Sequence, residues 1–218
     1  GRAMSRTYPL PMSADEMMEQ AREVTGIDII DGEAVEPLRM LAKSYNEEAG
    51  FTKEGAEGMQ RMVMRYLVNR LRMQRDFAAH PEIADIELLP PVIINAMART
   101  GSTKMQKVLA ATGDFNWLSY WMVMNTASET GEPNEDVSRR IMDIEEHVAW
   151  CDAMSPDAKY AHSFDAHEPE EDSCIMMQSL IMPTLTGNAH APSYLMWSIQ
   201  AGMDYQFEYV RDSLKYLI

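Results

Sequence analysis

Arg99-Thr100-Gly101-Ser102-Thr103 places a guanidinium, three hydroxyls and one glycine in five consecutive residues. Such a set suits an oxyanion. Hydroxyls and a guanidinium donate to phosphate-type oxygens, and a turn that opens a helix adds unsatisfied N–H groups and the positive end of the helix dipole. The flanks supply that context. Before the turn, "ELLPPVIINAMA" is a Pro-Pro break followed by a short, uncharged, β-branched run, which predicts a strand buried on both faces. After it, "STKMQKVLAATG" predicts a helix closed by Gly113. A nucleoside-triphosphatase loop, G-x-x-x-x-G-K-[ST], would need a lysine directly after its second glycine. Here Ser102 follows Gly101, Ala96 stands at the first glycine position and Lys104 lies further into the helix.

A second group that could do chemistry is "HSFDAHEPEED", where His162, His167, Glu170 and Glu171 lie close together. A histidine there could take a proton from an acceptor hydroxyl or amine, and His162 is the leading candidate base. Pro169-Glu170-Glu171 before "DSCIMMQSLIM" equally suits a helix N-terminus, where proline and acids complement free N–H groups. The spacing matches no metal site, so no metal ligand is expected.

These residues need elements to position them, and most of the chain predicts helices. Ser13 caps "ADEMMEQAREVTG", which stops at Gly26, and "EAVEPLRMLAKSYNEEAG" ends at Gly50. From Lys53 to about His80, Met59, Met62, Val63, Tyr66 and Leu67 keep helical spacing, with Arg61, Arg65, Arg72 and Arg75 read as a solvated face. "PNEDVSRRIMDIEEHVAWCDAM" carries a stripe of Val137, Ile141, Ile144, Val148 and Cys151, with Asp136, Asp143, Glu145 and Glu146 on its wet side. His147 and Cys151 read as packing residues. The chain has 20 methionines. They are core fillers by default, although Met122, Met124, Met176, Met177 and Met182 could line a pocket for an apolar acceptor.

Composition bounds the partners. The 218 residues, 46% hydrophobic and 24% charged, suit one globular domain. A net charge of −15 argues against a long-range attraction for nucleic acid or anionic membranes, so an anionic ligand must be caught locally. The uncharged run from Ser173 to Met203 is broken by Pro183, Gly187, Asn188, His190 and Pro192, so it reads as a buried layer and no transmembrane segment is expected. Two cysteines and no secretory pattern at the N-terminus point to a cytoplasmic protein.

With those residues in view, the loop resembles the phosphosulfate-binding loop of sulfotransferases that use 3′-phosphoadenosine-5′-phosphosulfate (PAPS). In that family a strand ends in Pro-Arg-(Ser/Thr)-Gly-(Ser/Thr)-Thr; Ala98 stands at the proline, and Arg99 to Thr103 match the remainder. The stretch from "TGIDIIDGEAVEPLRMLAK" to "HPEI", then "EPEED" and "PSYLMWSIQAGMDYQFEYVRDSLKYL", is similar to the large bacterial subfamily, so the likeness spans nearly the whole chain.

The resemblance implies an α/β fold with a sulfotransferase-type parallel sheet. It implies a single domain over 1–218, with a helical N-terminal region at 4–90 and a phosphosulfate-loop core at 91–218 that is truncated at its C-terminus. It implies PAPS as cofactor and transfer of a sulfuryl group to a hydroxyl or amine of a small-molecule acceptor. Arg99 would offset leaving-group charge, while Thr100, Gly101, Ser102 and Thr103 would wrap the 5′-phosphate. Two departures stand out. Trp121-Met122 replaces the usual Trp-Glu, whose glutamate is a base in related enzymes, and the family's Arg-to-Ser element for the 3′-phosphate would lie beyond Ile218. Arg211-Asp212-Ser213 lacks that element's proline and falls within a predicted helix. The 218 residues alone are therefore expected to be inactive. The alternatives are a non-catalytic helical interaction module with the same pattern and a phosphate-loop nucleotide enzyme.

Overall fold

Short-range chemistry sets the helix ends. In the computed structural model, which describes residues 11–29, 31–97, 100–187 and 189–218, Ser13 accepts the Glu16 N–H and opens helix α1 (Ala14–Thr25), which Gly26 closes at φ 69°. Asp31 accepts the Ala34 N–H to open α2 (Gly32–Glu48), and Thr52 accepts the Gly55 N–H to open α3 (Lys53–Ala79). These match the expected helices within the usual scatter of helix ends. The apolar stripes of α1, α2 and α3 meet in one core built on Met17, Ala21, Leu38, Leu41, Val63, Leu67 and Leu71. Leu180, Leu185 and Tyr194 enter it from later in the chain.

A second core joins α5 (Tyr120–Met124), α6 (Ser138–Met154), α7 (Ser173–Gln178) and α9 (Asp204–Leu217) through Val123, Ile144, Ile175 and Val210. Met177 and Met182 pack against both cores, and Met124 and Met176 are buried in the second. Their unbranched thioethers fill the seam between two helix groups. The remaining helices are α4 (Ser102–Ala111) and α8 (Pro192–Gln200). No described helix is long and apolar enough to cross a membrane.

The expected α/β parallel sheet is overturned. Among the described residues no strand forms, and the one isolated bridge pairs Ser119 with Pro169 in antiparallel sense. The run expected as a doubly buried strand is uncovered: Leu89 is 86% exposed, Ile93 79% and Met97 81%. The reason is physical. A helix satisfies its own N–H and C=O groups, whereas a strand needs a neighbour to complete a ladder. Among the described residues no strand forms a ladder with 86–97, and α4 buries no residue.

The arginines of α3 also depart from expectation. Rather than forming a solvated face, Arg65 is buried and reaches Asp143 at 3.1 Å, so Asp143 is not on a wet side. Arg75 donates to the Ser128 and Glu129 carbonyls at 2.9 and 3.1 Å, and Arg72 pairs with Glu129 at 3.7 Å. The segment after α5 folds back on α3, and the Ser128 and Glu129 carbonyls there take their donors from Arg75. Arg61 instead lies over the Trp150 ring, 4.9 Å from its centroid.

Candidate functional site

The loop and α4 form a helix N-terminus without a side-chain cap. Gly101 is the N-cap residue at φ 95°, a left-handed conformation that glycine adopts without Cβ strain, and no atom lies within 4 Å of where a Cβ would stand. Its carbonyl accepts the Met105 N–H at 3.0 Å, so the helical ladder begins there. The Thr100 hydroxyl donates to the Met97 carbonyl at 2.6 Å and tightens the turn. Thr100 and Gly101 are exposed, while Ser102 and Thr103 are half-buried. A glycine cap brings no side-chain oxygen, so among the described residues no side chain caps the first N–H groups of α4, where the positive end of the dipole lies. Such a cradle suits a phosphate-type oxyanion. Arg99 and Ala98 lie outside the described residues.

The second candidate group assembles beside α4. Residues 118–121 pair with 166–170: the Tyr120 N–H donates to Glu168, the Trp121 N–H to Ala166 and the Glu170 N–H to Leu118, each at 3.0 Å. That pairing places Glu170 three residues before α7, which opens at Ser173 with no acid in its first turn. The carboxylates are thus not spent on the helix N-terminus that the sequence pattern equally allowed. Glu170 is 6% exposed, and its Oε2 lies 2.9 Å from His162 Nε2. Two links tie the segment to α4: Gln106 donates to the Glu170 carbonyl at 2.7 Å, and Lys107 pairs with Glu168 at 3.5 Å.

The other candidates sort themselves by position. His167 pairs with Glu145 at 3.0 Å on the surface, away from this contact. Glu171 donates its N–H to Glu170 Oε1. Burial and the Arg65 charge pull the His147 imidazole down to about 3, and burial raises the Cys151 thiol, so neither is poised for catalysis near neutral pH. Arg211 sits exposed on α9 beside Asp212. Met122, at the family's glutamate position, is half-buried in α5 and brings no ionisable group. The contact that sequence reasoning did not pair is Glu170 with His162. The i, i+8 spacing carries no helical or strand signal for it, because the contact depends on residues 118–121 pinning Glu170.

No family model matches the chain, and no curated protein does. Two solved structures are similar to it. The sulfotransferase STF1 of Mycobacterium tuberculosis H37Rv matches with a TM-score of 0.75 at 24% identity, over 94% of this chain and 57% of that one. The sulfotransferase STF9 of Mycobacterium avium matches with a TM-score of 0.79 at 23% identity, over 97% of this chain and 55% of that one. The chain thus spans little more than half the length of these structures, and over that span it has the fold of mycobacterial sulfotransferases.

Proposed function

We propose that the chain carries the phosphosulfate-binding side of a PAPS-dependent sulfotransferase, transferring a sulfuryl group to a hydroxyl or amine of a small acceptor. The observation that carries this reading is the glycine-capped N-terminus of α4, which presents uncapped N–H groups inside a fold shared with two sulfotransferases. In this reading the N–H groups and hydroxyls from Thr100 to Thr103 hold the 5′-phosphate, Arg99 offsets charge on the leaving oxygen, and His162 takes the acceptor's proton. The donor supplies an activated sulfuryl group. The protein's task is positioning and electrostatics, by analogy with phosphoryl transfer. The seam methionines are committed to packing, so they lend no support to an apolar acceptor pocket.

The test is a titration of ¹⁵N-labelled protein with adenosine 3′,5′-bisphosphate. The expected result is saturable shifts of the Gly101, Ser102 and Thr103 amides, weakened by Gly101→Ala, which places a Cβ at φ 95° at a cost of about 1–3 kcal/mol. Shifts confined elsewhere would overturn the reading. A magnesium-dependent preference for ATP would replace it with a nucleotide enzyme.

A further inference from the structure

Every polar group of Glu170 has a partner. Its Oε2 meets His162 Nε2 at 2.9 Å, its Oε1 accepts the Glu171 N–H at 2.9 Å, its carbonyl accepts from Gln106 at 2.7 Å, and its own N–H donates to Leu118 at 3.0 Å. The carboxylate is therefore held through both oxygens in a buried setting, and the backbone is held at its N–H and its carbonyl. The imidazole is held as well: its ring lies 4.4 Å from that of Phe164, which stacks on Tyr120 at 4.8 Å. A carboxylate has no proton to give, so the proton in the 2.9 Å contact belongs to Nε2. A neutral imidazole protonated at Nε2 carries its basic lone pair on Nδ1.

We propose that Glu170 is a positioning residue that fixes His162 in the Nε2–H form, so that Nδ1 is the atom that accepts the acceptor's proton; this rests on His162 being the base of the transfer proposed above. As the acceptor O–H or N–H gives its proton to Nδ1, a bond forms from that oxygen or nitrogen to sulfur. The bond from sulfur to the phosphate oxygen breaks, and its electron pair leaves with the phosphate. His162 becomes an imidazolium, and the Glu170 carboxylate balances the new charge. Gln106 adds a geometric consequence, because it anchors Glu170 to the same helix whose N-terminus would hold the oxyanion in the reading above. Base and anion cradle therefore share one rigid support. The other charged groups beside the pair are Lys107 with Glu168, and Glu171.

The experiment combines a tautomer measurement with kinetics. In protein labelled with ¹⁵N-histidine, long-range ¹H–¹⁵N spectra should show neutral His162 with its proton on Nε2, assigned by loss of those signals in His162→Asn. Glu170→Ala should give a mixture of tautomers. Glu170→Gln, which keeps an oxygen acceptor and guards against a misfolded alanine variant, should retain the tautomer but lose charge balance. In turnover assays of the chain joined to the family's 3′-phosphate element, Glu170→Ala should lower kcat with KM for the sulfuryl donor unchanged. The loss should fall below the roughly 10²- to 10⁴-fold expected for removing His162 itself. In a His162→Ala background, Glu170→Ala should have no further effect. A proton on Nδ1 in the native protein, or an equal Glu170 effect with and without His162, would overturn the assignment. A native tautomer with no sulfuryl transfer by the joined chain would instead overturn the functional reading, leaving Glu170 as the group that orients His162.

Discussion

Asp31 and Arg70 face each other in the interior, each with a side chain 2% exposed, and join the N-terminus of α2 to the middle of α3. Arg70 Nη2 also donates to Asp31 Oδ1 at 2.9 Å and to the Tyr205 hydroxyl at 2.7 Å, and the guanidinium lies over the Tyr209 ring. Burial alone would lower the guanidinium pKa, but the hydrogen bond and charge of Asp31 outweigh it and raise the value. Removing one partner strands the other charge. Asp31→Ala should cost about 3–5 kcal/mol, read as a lower urea midpoint, whereas replacing both residues by apolar ones of similar volume should cost less. Equal losses would show that the pair is not coupled.

Acid should weaken the fold through His147. Burial, reinforced by the Arg65 and Arg61 charges and opposed by Asp143, pulls its folded value to about 3. The unfolded chain titrates near 6.5 and so binds more protons between those values. Stability from this group is full above about 6.5 and is lost as pH falls towards about 3, at up to about 1.4 kcal/mol per pH unit. Denaturation curves from pH 7 to pH 4 should be less steep in His147→Gln. An unchanged slope would refute the assignment.

Ile93 and Ile175 should respond oppositely to truncation. Ile93 lies in the uncovered segment, so Ile93→Ser should change stability by no more than about 0.5 kcal/mol. Ile175 is fully buried in the second core, and Ile175→Ala should cost about 2–5 kcal/mol. A large loss at Ile93, measured by urea denaturation, would mean that 86–97 is covered in solution.

At Gly58 the usual sign for glycine in a helix should reverse. Gly-to-Ala in a helix interior ordinarily gains about 0.5–1 kcal/mol. Here the new Cβ would lie 2.6 Å from Cη2 of Trp150, the ring that packs under Arg61. Gly58→Ala should therefore be no more stable than the native chain and should alter Trp150 emission, with Trp150→Phe as the control. A full gain with unchanged emission would contradict the close approach.

The helix ends and the glycine turn that opens α4 were legible in the sequence because they depend on neighbours a few residues away. Ser13 caps α1 within three residues as its position suggested. Asp31 and Thr52, which the sequence reading did not single out, cap α2 and α3 over the same short reach, and Gly101 meets its conformational demand alone. Only the tertiary structure decided matters that rest on distant partners. Residues 86–97 have the β-branched composition of a strand, yet composition cannot supply a second strand, and they stand exposed. Arg65, Arg72 and Arg75 keep the spacing of a wet helix face, but Asp143, Glu129 and the carbonyls of the 128–129 turn come to them from more than fifty residues away. His162 and Glu170 are near in sequence, but Glu170 meets the imidazole because Leu118 and Gln106 hold its backbone. Caps and turns are local and can be read residue by residue, whereas burial and proton-sharing pairs are chosen by long-range packing.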